Sequence, residues 1–136
     1  MFEFEVIGGI KGKARPRVNT YTCKAYTPGD TKDYDLLVKQ YFKIKHPRSV
    51  PLENRIKVTI IAYFKVPKTV TKKERALIEE GILSPTKKPD IDNIVKIILD
   101  SLNGIAFKDD NQITKIEVEK AYTFDEERVY VKVEEY

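Results

Sequence analysis

The sequence predicts an α+β fold, a mixed, mainly antiparallel sheet of about five strands with three helices packed on it. Three observations lead there. Apolar and polar residues alternate near both ends and in the middle, at Phe2–Ile7, Arg55–Lys65 and Arg128–Glu134. Between these stretches, apolar residues recur every three or four positions, as on helices with one buried face. The 136 residues hold no internal repeat, low-complexity tract or linker, and so fit one domain, 1–136, with a single core.

Taken in order, Phe2, Phe4 and Val6 alternate with Glu3 and Glu5 as a half-buried strand, which Gly8–Gly9 ends. Lys11, Lys13, Arg15 and Arg17 follow in a segment containing Gly12 and Pro16, an exposed basic arm rather than a helix. Val18–Tyr26 is a short strand, and Pro28–Gly29 a turn. Asp30 or Thr31 then caps a helix whose apolar face is Tyr34, Leu37, Val38, Tyr41 and Phe42 and which ends before Pro47. In Arg55–Lys65, Ile61 and Tyr63 are apolar in the phase opposite to Ile56, Val58, Ile60, Ala62 and Phe64. That pattern predicts a central strand covered on both faces.

Thr71-Lys-Lys-Glu74 is a capping box opening a helix over Lys72–Glu80, which Gly81 closes. Residues 82–89 form a connection carrying Lys87 and Lys88. The next helix has the firmest pattern, with Ile91, Ile94, Val95, Ile98, Leu99 and Leu102 on one face, Asp90 or Asp92 as N-cap, and Gly104 at the left-handed C′ position. Ile105–Phe107 is a short extended piece. Gln112–Lys120 and Arg128–Glu134 are strands, joined as a hairpin by a solvated acidic turn at Asp125-Glu126-Glu127.

The chemistry concentrates between Pro89 and Lys120. Asp90 and Asp92 stand two residues apart at a helix start, and Asp109–Asp110 follows that helix after a short connection. Asp92, Lys96 and Asp100 lie one turn apart on its polar face. Each feature has an ordinary explanation: a cap, a surface ion pair worth a few tenths of a kcal/mol, and a turn. A cap, however, needs one acid, and this segment supplies two pairs. If the helix and the following strand pack together, their ends could converge into a site of three carboxylates. Such a site suits Mg²⁺, which takes oxygen ligands and is commonly held by one or two carboxylates plus substrate phosphate. An EF-hand fits badly, because Val95 occupies the loop position that needs Gly.

Composition narrows the classes. Cys23 is the single cysteine, which excludes an internal disulfide and a zinc cluster. No long apolar run or signal-like amino terminus is present, so the expectation is a cytoplasmic protein without a membrane segment. A net charge of +4 and a pI near 9.0 are compatible with a nucleic-acid partner. The lone His46 reads as a surface residue.

The stretch PDIDNIVKIILDSLNGIAFKDDNQI resembles the core motif of the RusA-type Holliday-junction resolvases: D-x-D-N, a lysine four residues after the second aspartate, then a late Asp-Asp. GKARPR at residues 12–17 and YTP at 26–28 also resemble amino-terminal features of that family. The resemblance implies metal binding by Asp90, Asp92 and Asp110, with Asp109 the less favoured member of its pair, and a catalytic role for Lys96. It implies Mg²⁺, with Mn²⁺ as a substitute, a homodimer, and four-way junction DNA nicked symmetrically to leave a 5′-phosphate and a 3′-hydroxyl. Candidates for holding the junction through its phosphates are Lys13, Arg15, Arg17, Lys72, Lys73, Lys87 and Lys88. Two other readings use the same residues. One is a non-catalytic DNA-binding module whose acids only cap helices and turns; the other is a metal-dependent nuclease for forks or flaps.

Overall fold

The sheet is built outward from the strand with the longest alternating run. In a computed structural model, which describes residues 1–12, 17–18, 25–26 and 29–136 (side chains for 1–12 and 31–136), that strand is β4, Ile56–Lys65. It has β5 (Ile113–Thr123) parallel on one side and β6 (Arg128–Glu135) antiparallel on the other. β6 in turn pairs antiparallel with β1 (Phe2–Ile7), giving the order β1-β6-β4-β5. The mixed sheet therefore has four strands, not five. Arg17–Val18 (β2) and Ala25–Tyr26 (β3), part of the predicted fifth strand, pair instead with each other as a separate two-stranded ribbon.

All three helices of the expectation form: α1, Gly29–Lys45; α2, Lys72–Glu79; and α3, Ile91–Leu102. Alternation turns Ile56, Val58, Ile60, Ala62 and Phe64 of β4 to one face, beside Val129, Val131 and Val133 of β6 and Phe2, Phe4 and Val6 of β1. Tyr34, Val38 and Phe42 of α1 and Ile94, Ile97, Ile98 and Leu102 of α3 close over that face. Thr71 caps α2 by accepting from Glu74 N at 3.1 Å, and Gly81 and Gly104 adopt φ values of 75° and 80° where their helices end. Among the described residues no helix is long and apolar enough to cross a membrane.

Two expectations are corrected by pairing. β4 is interior to the sheet, but its second face is only half buried at Lys57, Thr59, Ile61 and Tyr63. Ile61 lies between Tyr130 and Glu119, and Thr59 between Lys132 and Glu117, so its neighbours make that face polar. β5 and β6 do not form a hairpin, because β4 runs between them. Residues 124–127 must cross the carboxy-terminal end of β4 to join them. Glu127 consequently does not sit in a solvated turn. Its carbonyl accepts from Gly8 N at 2.9 Å, and its carboxylate accepts from Ile10 N and Lys65 N, each at 3.3 Å. It clasps the chain leaving β1 to the end of β4.

His46 is half buried rather than a surface residue. It packs on Phe2 and Phe42 with ring centroids 5.0 and 5.5 Å away, and hydrogen-bonds the Glu3 backbone. Its role is packing at the end of α1.

Candidate active site

The start of α3 presents two carboxylates that the fold does not consume. Asp90 occupies the N-cap position with φ −65° and ψ 150°, and its carbonyl accepts from Asn93 N and Ile94 N, each at 3.1 Å. Its side chain makes no capping hydrogen bond. Asp92, in the first turn, is exposed, as is Lys96 one turn later. The i,i+4 ion pairs among the described residues are Asp35–Lys39 at 2.9 Å and Arg75–Glu79 at 3.7 Å. Asp92 and Lys96 do not form one, and both remain available to a ligand.

Lys120 fixes this helix start. Its ammonium donates to the carbonyls of Lys87 at 2.6 Å and Pro89 at 3.1 Å, and lies 5.2 Å from the Phe64 ring centroid. Lys87 sits over the same ring at 5.5 Å and reaches Glu127 at 4.0 Å. Sequence reasoning gave Lys120 no role, although a signal was there: it shares the strand phase of Ile116 and Val118, so a cation occupies an inward position opposite Ala62. Hydrogen bonds from a charged donor contribute about 1.5–3 kcal/mol each when sheltered. Lys120→Met is therefore expected to loosen the run-in to Asp90, speeding amide hydrogen exchange over residues 87–94 by about 10-fold, on the order of one such bond. Lys120→Arg should restore part of that protection, and hydrogen-exchange mass spectrometry measures both.

Gly12 itself packs against the same place. A Cβ added there would lie 2.7 Å from Pro89 Cβ and 2.9 Å from Asn93 Cβ, so only glycine allows the approach. Lys13 and Arg15 lie outside the described residues, as does the side chain of Arg17. Lys72, Lys73, Lys87 and Lys88 are all exposed.

The second acidic pair is built differently. Asp109 accepts from Asp110 N at 2.9 Å, and its own N–H donates to Gln112 Oε1 at 2.8 Å, capping a 3₁₀ turn over Asp110–Gln112. Gln112 Nε2 donates to the carbonyls of Leu52 and Asn54, which pins that turn to the start of β4. Asp109 thus caps the turn, and both carboxylates of the pair are exposed. A hydrogen bond shared with the Asp109 carboxylate, some desolvation, and the charges of Asp109 and Asp100 hold the Asp110 carboxyl above its ordinary pKa.

The two pairs stand at opposite ends of α3. Lys120 ties Pro89 to the far end of β5, whereas Asp110 immediately precedes that strand and feels Asp100 in the last helical turns. A rise of about 1.5 Å per residue separates Asp90 from Asp100 by about 15 Å along the axis. Accordingly, no group of three or more acidic, histidine or cysteine side chains among the described residues is gathered closely enough to hold a metal ion. Asp90, Asp92 and Lys96 share one end of α3; Asp110 is not brought to them within the chain.

The family model for Endodeoxyribonuclease RusA matches residues 8–134. The chain belongs to the RusA endodeoxyribonuclease family. A relative from Bacillus subtilis strain 168, named "Uncharacterized protein YqaN", is 33% identical over 140 residues, covering 98% of this chain and 95% of its own length. RusA membership implies an endodeoxyribonuclease that acts on junction DNA. In this RusA-family chain the shared region takes in α3, Lys120 and both acidic pairs.

Proposed function

We propose that this chain is a Holliday-junction resolvase, a divalent-cation-dependent homodimer that hydrolyses one phosphodiester in each of two opposed strands. The observation that carries the reading is Asp90: it stands where a helix cap stands, yet its carboxylate makes no cap bond and has Asp92 beside it. Two hard oxygen donors in an exposed position fit Mg²⁺ or Mn²⁺, which needs one or two carboxylates when phosphate supplies the rest. Asp90 and Asp92 would hold the ion, which when bound neutralises a phosphoryl oxygen and acidifies water.

The chain's own residues do the remaining work. Lys96 stabilises the charge that builds on phosphorus oxygens, and Lys120 holds Asp90 in position. Lys72, Lys73, Lys87, Lys88 and the arm from Lys13 to Arg17 contact phosphates, positioning the junction without reading its sequence.

A second protomer explains the split acids. If two copies pack with their α3 helices antiparallel about a two-fold axis, the Asp90 end of one lies beside the Asp110 end of the other. Each site then takes Asp90 and Asp92 from one subunit and Asp110 from its partner. The apolar surface available for such packing is Ile91 at the start of α3, 44% exposed, and Ile116 on neighbouring β5, 42% exposed, with Val95 and Leu99 half buried against the chain's own core one and two turns along the helix. Two equivalent sites also match the near two-fold symmetry of a four-way junction.

The test is cleavage of fixed and mobile four-way junctions, forks, flaps, duplex and single strands with Mg²⁺, Mn²⁺ or chelator. Paired nicks confined to junctions and lost in chelator are expected. Equal cutting of forks or flaps would point to a general structure-specific nuclease instead.

A further inference from the structure

Between the end of β1 and the start of α3 the chain is fixed at three points, Gly8, Ile10 and Gly12, and Glu127 holds two of them. We propose that Glu127 is a positioning residue for the DNA: it keeps Lys11 and Lys87 beside the start of α3, where both meet phosphates flanking the cleaved bond. The proposal rests on the nuclease reading and deepens it.

The path can be followed bond by bond. Gly8 turns with φ 123°, and its N–H donates to the Glu127 carbonyl at 2.9 Å. Ile10 is buried, and its N–H donates to Glu127 Oε1 at 3.3 Å. Gly12 then packs against Pro89 and Asn93, which leaves Lys11 exposed between two held residues. The other carboxylate oxygen, Oε2, accepts from Lys65 N at 3.3 Å and lies 4.0 Å from the Lys87 ammonium. The backbone of Lys87 is held separately, by the Lys120 ammonium on its carbonyl. One side chain therefore ties the chain leaving β1, the end of β4 and the lysine three residues before Asp90.

By charge alone, a carboxylate among these lysines repels a phosphate. Its two acceptor oxygens do what a neutral amide cannot: glutamine keeps one of them and turns an NH₂ donor toward the second backbone N–H. Charge and position thus make opposite predictions for one substitution. Removing a negative charge predicts tighter DNA binding, whereas losing the clasp predicts weaker binding, because Lys11 and Lys87 are no longer held together.

Binding of a fixed four-way junction is followed by fluorescence anisotropy without metal, from about 50 to about 200 mM salt. Glu127→Gln should weaken binding by roughly 10-fold and flatten the slope of log Kd against log salt by about two, since each phosphate contact contributes about 0.9. In cleavage, KM should rise with kcat little changed, as for a residue that acts on binding. Gly8→Ala strains the same turn without altering a charge, and its added Cβ meets nothing within 4 Å. It should weaken binding and flatten the slope in the same direction. Tighter binding by Glu127→Gln, or an unchanged slope in both variants below their melting temperatures, would overturn the proposal. A wild type that binds junctions and loses salt dependence in the variants, yet cuts no junction with Mg²⁺ or Mn²⁺, would overturn the nuclease reading alone.

Discussion

Asp92→Asn is expected to lower junction cleavage by roughly 10³-fold or more, comparable with the largest losses seen when a transition-state electrostatic partner is removed. Junction affinity should be unchanged or slightly higher. Asparagine keeps the shape and removes one negative charge from a surface that faces phosphates. Because Asp92 is exposed in the first turn of α3, the fold should lose no more than about 0.5 kcal/mol, as for surface substitutions generally. Single-turnover nicking of end-labelled junctions, with fluorescence anisotropy for binding, separates the two effects. Nicking at the wild-type rate would remove Asp92 from the chemistry.

Lys96→Ala should carry the next largest effect, a fall in kcat of roughly 10²-fold with little change in KM. Lys96 lies one turn along α3 from Asp92 and makes no ion pair with it, so its charge is available to the reacting phosphate. The split between the constants decides its role. A raised KM at constant kcat would mean that Lys96 only holds DNA in the ground state. Lys96→Arg should not fully restore the rate, because a planar guanidinium and a compact ammonium place their charge differently.

Much of the fold could be read from local pattern. The Thr71 cap and the alternation of β1, β4 and β6 depend on neighbours within a few residues and formed as expected. The Glu74 carboxylate, however, accepts from the Thr71 hydroxyl rather than its backbone N–H, and α3 buries Ile94, Ile98 and Leu102 with Ile97 while leaving Ile91 exposed. Pairing partners were not legible. β5 joins β4 in parallel from nearly sixty residues away, and nothing local distinguishes that arrangement from a hairpin with β6. The polar second face of β4 is also set by its neighbours, Glu117, Glu119, Tyr130 and Lys132, rather than by its own Ile61 and Tyr63.

The candidate site divides the same way. Asp90, Asp92 and Lys96 could be placed together because one helix carries them. Asp110 could not, because its position depends on α3 and β5 running in opposite directions, which sends the acidic pairs to opposite ends. Lys120, Glu127 and Gly12 act through contacts with residues distant in sequence. Their signals, a lysine in an inward strand phase and a glycine inside a basic run, are plain only beside the contacts themselves.

The central claim is that each centre draws its carboxylates from two subunits, and mixing two inactive variants tests it most directly. Asp92→Asn and Asp110→Asn should each be inert alone. Exchanged into mixed dimers, they leave one centre with Asp90 and Asp92 from one protomer and Asp110 from its partner, so the mixture should regain single-strand nicking of the junction. A mixture that stays inert, while tagged subunits demonstrably exchange, would contradict the shared centre and return all three carboxylates to a single chain.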